Sequence, residues 1–287
     1  MKSFHLGTVV YCLLAVWSLH GTGGYAQTKG FNYDESKVPK YALPDPLVDE
    51  SGSRVDTAEA WVGRRRKEVM TLFANHVYGQ VPDKKISLTS TLVESDAHAL
   101  DGRATRKQIR LDLTDGAKTV SLELLMYVPN LGGRPTAGTF VGLNFQGNHT
   151  IQDDPKIALA KSWVRDRNNE TVKDHRSTNA GRGVASSRWP VEAIVARGYG
   201  LATVYYGDID PDFDDGFKNG VHQLFRDSTG QTTAGNAWGS IATWAWGLSR
   251  VVDYLEQDSD VDAERIILMG HSRLGKTSLW AGAQDER

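Results

Sequence analysis

The segment Gly270-His271-Ser272-Arg273-Leu274-Gly275-Lys276 sets one serine among glycines, after the apolar run Arg265 to Met269 and before the helical pattern Thr277 to Ala283. Strand, tight turn with Ser, then helix is the context of a nucleophile elbow. Small neighbours admit the crowded turn, and the hydroxyl is aimed at the helix N-terminus, where backbone N–H groups stabilise an oxyanion. The chemistry this suits is acyl transfer from an ester. Glycine stands at Ser minus 2 and Ser plus 3, whereas the generic G-x-S-x-G spacing wants it at plus 2, where Leu274 stands. The match is partial, and a Gly-rich turn with Ser272 as a helix N-cap is the competing reading.

Other polar residues suggest less. Asp208, Asp210, Asp212, Asp214 and Asp215 alternate like the ligands of a calcium loop, but Phe213 stands where the register needs Gly, and Asn219 or Val221 replaces the closing Glu. The expectation is a solvated loop capping the sheet's C-terminal edge. His149, His175, His222 and His271 have no spaced partner that suggests a metal, so they read as structural and no metal or cofactor is expected.

The elements that must position Ser272 change rhythm along the chain. Asp56-Thr57-Ala58-Glu59 forms a capping-box pattern before an amphipathic helix carrying Trp61, Val69, Leu72, Phe73 and Val77, stopped by Gly79 and Pro82. Ile86 to Val93, Lys107 to Leu113 and Thr119 to Val128 read as an antiparallel meander, with Asp115-Gly116 turning between the last two. Then strand alternates with helix: Thr139 to Phe145, the helix Val191 to Arg197 opened by Pro190 and closed by Gly198, and Leu201 to Tyr206. A helix with Ile241, Trp244, Ala245, Leu248, Val251, Val252 and Leu255 on one face follows, and then the buried strand Arg265 to Met269. Such a βαβ series predicts an α/β fold with a mainly parallel sheet.

Composition bounds the rest. The chain has 287 residues, 40% hydrophobic and 24% charged, with 33 Lys plus Arg against 35 Asp plus Glu. That excludes disorder and coiled coil, and it offers no broad basic field for nucleic acid. Met1 to Gln27 carries Lys2, an apolar run from Val9 to Leu19 and Gly24-Tyr25-Ala26. The run is shorter than the roughly 20 residues of a membrane span, so residues 1–26 read as a secretory signal peptide and no membrane anchor is expected. The only cysteine, Cys12, lies in that leader, leaving a mature chain without disulfides that its core must hold. Residues 27–54, with Pro39, Pro44 and Pro46, read as a wrapping segment, and 55–287 as the main domain.

The elbow resembles the G-[CH]-S-R-x-G-K signature of the glucuronoyl esterases, carbohydrate esterase family 15. Leu143-Asn144-Phe145-Gln146-Gly147-Asn148-His149, Tyr206-Gly207-Asp208-Ile209-Asp210-Pro211-Asp212 and the Trp238 to Tyr254 helix resemble the same family, from about Val38 to Arg287. The resemblance implies an α/β-hydrolase fold, a three-layer sandwich, and serine esterase activity on the ester between 4-O-methyl-glucuronic acid of xylan and lignin alcohols. His271 stands where fungal members carry a disulfide-bonded Cys, which points to the bacterial branch.

Carried over by position, Ser272 is the nucleophile, Arg273 stabilises the oxyanion through its backbone N–H and guanidinium, and Lys276, one turn later, contacts uronic acid hydroxyls. Gln146 and Gly147, in the loop after the first parallel strand, are candidates for a second oxyanion N–H. The sequons Asn148-His149-Thr150 and Asn169-Glu170-Thr171 matter only in a eukaryotic secretory pathway. The triad order Ser, acid, His excludes every histidine here as the base. The chain stops at Arg287, fifteen residues after Ser272, so the last strands, the acid and the His are expected in a longer enzyme. By itself the chain reads as inactive. The expected protein is a secreted or periplasmic monomer acting on glucuronoxylan–lignin esters. Alternatives are an acetylxylan or feruloyl esterase, or a non-catalytic carbohydrate-binding remnant.

Overall fold

The computed structural model describes residues 32–133, 136–167, 169–226 and 238–287; the leader read at residues 1–26 lies outside them. The chain divides into two compact units, Met1–Pro46 and Leu47–Arg287. Among its described residues, the first has one 3-10 turn, Glu35–Lys37, capped by Asp34.

In the second unit, Thr57 caps the first helix by accepting from the Ala60 N–H at 3.1 Å. The cap lies one residue later than the Asp56 box, and Ala60 has no side chain to reciprocate. Helices α1 (Ala58–Ala60) and α2 (Arg66–Phe73) are separated by a π-helical segment at Trp61–Arg65, and a second follows at Ala74–Tyr78. These wide turns rotate the apolar stripe away from a 3.6-residue period, so Leu72, Phe73 and Val77 end up exposed while Met70, Ala74 and Tyr78 face the core.

Strands β1 (Ser87–Ala99), β2 (Ala104–Thr114) and β3 (Thr119–Pro129) form the antiparallel meander. β1 runs six residues past Val93, the limit read from sequence, through irregularities at Leu92/Glu94 and Asp96/Ala99 that interrupt its alternation. β4 (Gly138–Asn144) follows, then a long connection holding the hairpin β5 (Val172–Lys173) and β6 (Arg176–Ser177), then α3 (Val191–Ala196) and β7 (Tyr199–Tyr205). The chain ends with α4 (Tyr206–Ile209), α5 (Ser240–Leu255), β8 (Ile266–Leu268) and α6 (Ser272–Gln284). α6 begins five residues earlier than the Thr277 start read from sequence.

The sheet order is β1-β2-β3-β7-β4-β8. β7 and β8 pair parallel to β4, while β7 pairs antiparallel to β3, so the sheet is mixed. Side chains alternate across it: Leu124 and Met126 join Trp244, Leu248 and Val251 of α5 and Trp280 of α6, whereas Leu125 and Tyr127 join Val191 and Val195 of α3. Helices therefore cover both faces, giving the three layers of an α/β-hydrolase. From β4 the chain first places β7 on one side and later β8 on the other, which opens a crevice at the C-terminal ends of these strands.

Candidate active site

Ser272 stands at that crevice, at the start of α6, with φ +56°. A left-handed backbone at a residue with a Cβ is strained, and here it reverses the chain from strand to helix within a few residues. Gly270 makes the reversal possible, because a Cβ there would lie 2.3 Å from the Leu274 carbonyl oxygen and 2.5 Å from Ser278 Oγ. Gly275 is not demanded by space, since its nearest neighbour would be 3.5 Å away. Leu274, in the usual place of the second glycine, is buried in the core. Hydroxyls brace the turn: Ser278 donates to the Met269 carbonyl at 2.8 Å and Thr277 to that of Arg273 at 3.0 Å. Ser272 itself is exposed, and its hydroxyl bonds no described residue.

The Arg273 guanidinium lies 5.7 Å above the Phe145 ring and donates through Nη1 to Asp212 Oδ2. Asp212 Oδ2 also accepts from Arg165 Nη2 and from the Tyr206 hydroxyl, both at 3.0 Å. Nε and Nη2 of Arg273 are left without a partner among the described residues and can donate to a developing oxyanion. Lys276 is exposed one turn further along α6, with no ion pair among the described residues.

Phe145 also joins the elbow to the loop after β4, its ring lying 6.3 Å from that of His271. In this loop Gly147 is unsuited to the role expected of it. Its N–H donates to Asn144 Oδ1 at 2.8 Å, and Asn144 Nδ2 in turn donates to Asn148 Oδ1 at 2.8 Å. Gln146, half-buried, keeps an N–H that bonds no described residue. Asn148 is buried and donates to the Glu123 carbonyl at 2.7 Å, which leaves the folded sequon inaccessible, whereas Asn169 is exposed.

The acidic run differs from the solvated loop read from sequence, because Asp208 and Asp210 are buried. Asp208 accepts from Ser162 Oγ at 2.5 Å and from the Glu123 N–H at 3.3 Å; burial pushes its carboxyl up to about 7. Burial likewise raises Asp210 to about 6. Asp214 and Asp215 turn to backbone N–H groups of Gly216, Lys218 and Asn219, so the five carboxylates do not converge. Among the histidines, His222 is buried, with Nε2 2.9 Å from Thr243 Oγ1 and 3.7 Å from Asp210 Oδ1. Burial lowers both His149 and His222 to about 4.

A strained serine elbow followed by arginine, at the crevice of an α/β-hydrolase sheet, has close counterparts. The family model for glucuronyl esterase, fungi, matches residues 225–287. A carbohydrate esterase from an unknown prokaryotic organism is 45% identical over 92% of this chain and 60% of its own length. The structure of a promiscuous CE15 esterase from a marine bacterial metagenome is 44% identical with TM-score 0.79, covering 89% of this chain and 63% of that one.

The chain is similar to esterases of carbohydrate esterase family 15 over about nine tenths of its length. A glucuronoyl esterase from Solibacter usitatus is 43% identical with TM-score 0.80, over 88% of this chain and 63% of that one. The chain thus spans about three fifths of the length of these relatives. Among its described residues, no helix is long and apolar enough to cross a membrane.

Sequence reading picked out Ser272, Arg273 and Lys276 but not Asp212, Arg165 or Phe145 as their neighbours. Asp212 lies 61 residues from Arg273, and only its place just beyond the end of β7 hinted at the crevice.

Proposed function

We propose that this protein is an exported serine carboxylic ester hydrolase acting on 4-O-methyl-glucuronoyl esters that link glucuronoxylan to lignin alcohols. The observation that carries the reading is the exposed, strained Ser272 beside a guanidinium that keeps two donors free. Ser272 Oγ attacks the ester carbonyl carbon; the carbon–oxygen bond to the alcohol breaks, and the alcohol leaves with a proton. Water then cleaves the acyl-serine and releases the uronic acid. In both steps negative charge collects on the carbonyl oxygen, where Arg273, and the Gln146 N–H if it turns inward, offset it. The relatives are longer than the span matched here, and the His and carboxylate that move the proton are proposed to belong to that additional length. Lys276, exposed one turn along α6, binds sugar hydroxyls in this reading.

Hydrolysis of a benzyl ester of glucuronic acid by the full-length protein tests the reading. Turnover that Ser272→Ala abolishes supports it. No turnover, or turnover that survives Ser272→Ala, overturns it.

A further inference from the structure

The connection between β4 and α3 encloses a second cleft, of about 440 Å³, running from Phe145 and Gln146 past Arg167, Asn169 and Arg188 to Trp189. Phe145 is the ring under the Arg273 guanidinium, so one side chain borders both the cleft and the elbow. Among the described residues, no Asp or Glu lines the cleft. Neighbouring arginines of this connection are engaged: Arg165 with Asp212, Arg176 with the Lys161 carbonyl, Arg182 with the Asp154 and Ile157 carbonyls. Arg167 and Arg188 are exposed and bond no described residue. Two guanidiniums facing one cleft without a counter-charge attract an anion, and their planar forks match a carboxylate. The ester bond attacked by Ser272 is neutral, so it cannot be that anion.

We propose that this cleft is a carboxylate subsite, which holds a free acid group of the substrate beside the ester being cleaved. The inference rests on the esterase reading and specifies its substrate as an acidic one. Half-buried Phe145 gives a ring edge for a sugar or an arene and the buried Trp189 forms part of the wall, while Asn169 and Gln146 serve hydroxyls. The carboxylate has two chemical sources, a second uronate on the glycan or the acid group of a hydroxycinnamate.

Calorimetry on the full-length Ser272→Ala protein, which leaves ligands uncleaved, separates the possibilities. The probes are glucuronate and 4-hydroxy-3-methoxycinnamate, each against its own methyl ester. At least one acid is expected to bind about tenfold tighter than its ester, because a charge-assisted pair is worth a little over one kcal/mol. The acid preferred identifies the source. Adding Arg167→Gln and Arg188→Gln is expected to remove the preference, whereas adding Arg273→Gln instead leaves it. Equal binding of both acids and their esters, or a preference that survives the Arg167 and Arg188 changes, overturns the subsite. Because the readout is binding, an inactive parent protein would contradict the esterase reading without touching this result.

Discussion

Asp212 and Arg273, on opposite sides of the crevice, are joined through Oδ2 and Nη1, and the same carboxylate oxygen also receives Arg165 and the Tyr206 hydroxyl. Arg273 is about two fifths exposed, and a guanidinium on so flexible a stem would otherwise sample many positions. The tether holds it beside Ser272 and uses only one of its nitrogens. Asp212→Asn is therefore expected to lower kcat about tenfold with little change in KM, since a loosened donor is missed mainly in the transition state. Asp212→Glu is expected to recover part of the loss. Steady-state kinetics checks both, and an unchanged kcat in Asp212→Asn would mean that the contact only stabilises the fold.

Arg273 and Lys276 should separate kinetically. Arg273→Ala is expected to reduce kcat by roughly a hundredfold or more, because the oxyanion charge it faces exists mainly in the transition state. Lys276→Ala is expected to raise KM more than it lowers kcat, as contacts to hydroxyls bind substrate and transition state alike. Similar kinetic profiles for the two variants would refute this division of roles.

The two glycines of the elbow are also unequal. Gly270→Ala forces a methyl against the Leu274 carbonyl and is expected to destabilise by about 2–4 kcal/mol. Gly275→Ala meets ordinary contact inside α6 and is expected to be neutral or stabilising by up to about 1 kcal/mol. Thermal melting of both variants checks the contrast.

Asp208 gives stability a pH dependence. Its folded carboxyl keeps the proton to about 7, while the unfolded one releases it near 3.8, so its contribution to stability falls as pH rises between these values, by about 4 kcal/mol at most. His149 and His222 act oppositely: folded they protonate only near 4, unfolded near 6.5, so stability is lost as pH falls through that window. Asp208→Asn is expected to shrink the decline on the alkaline side to the part that the buried Asp210 contributes, and to keep the acid one. Melting temperatures from pH 4 to pH 8 measure it, and a parallel curve for the variant would contradict the assignment.

Excess chelator is expected to leave esterase activity unchanged, because the carboxylates from Asp208 to Asp215 are directed to separate partners. Loss of activity that added calcium restores would reverse that expectation.

The strands and helices were legible because their signals are local. β3, β4, β7 and α5 follow from periodicity and lie within two residues of where the sequence places them. β1 and α2 were misjudged where a bulge or a π-helical turn shifts the phase, which a fixed period cannot express. Ser272, Arg273 and Lys276 could be singled out from sequence because they fall within five consecutive positions. The Asp212 tether was not, since nothing near Asp212 in sequence encodes its meeting with Arg273. Gly147 was misassigned for a subtler reason: Asn144, three residues earlier, claims its N–H through a side chain, an Asx-type turn that the sequence permitted but did not announce.

The wholly buried Arg106 on β2 pairs with Glu94 and Asp96 on β1 and with Asp154 in the connection after β4, while Gln108 holds that connection by the Lys156 carbonyl and the Ala158 N–H. The walls of the Arg167–Arg188 cleft are thus carried by a segment riveted to the meander at Asp154 to Ala158, well away from the elbow. Evolution, or an engineer, can exchange the part of the lining from Arg167 to Arg188 while Phe145 and Gln146 stay beside the Ser272 elbow, if the graft brings a carboxylate for Arg106. A graft lacking one leaves a buried guanidinium Nη1 without its carboxylate, Glu94 and Asp96 alone facing Arg106, and the loss would present as lowered stability rather than as altered specificity.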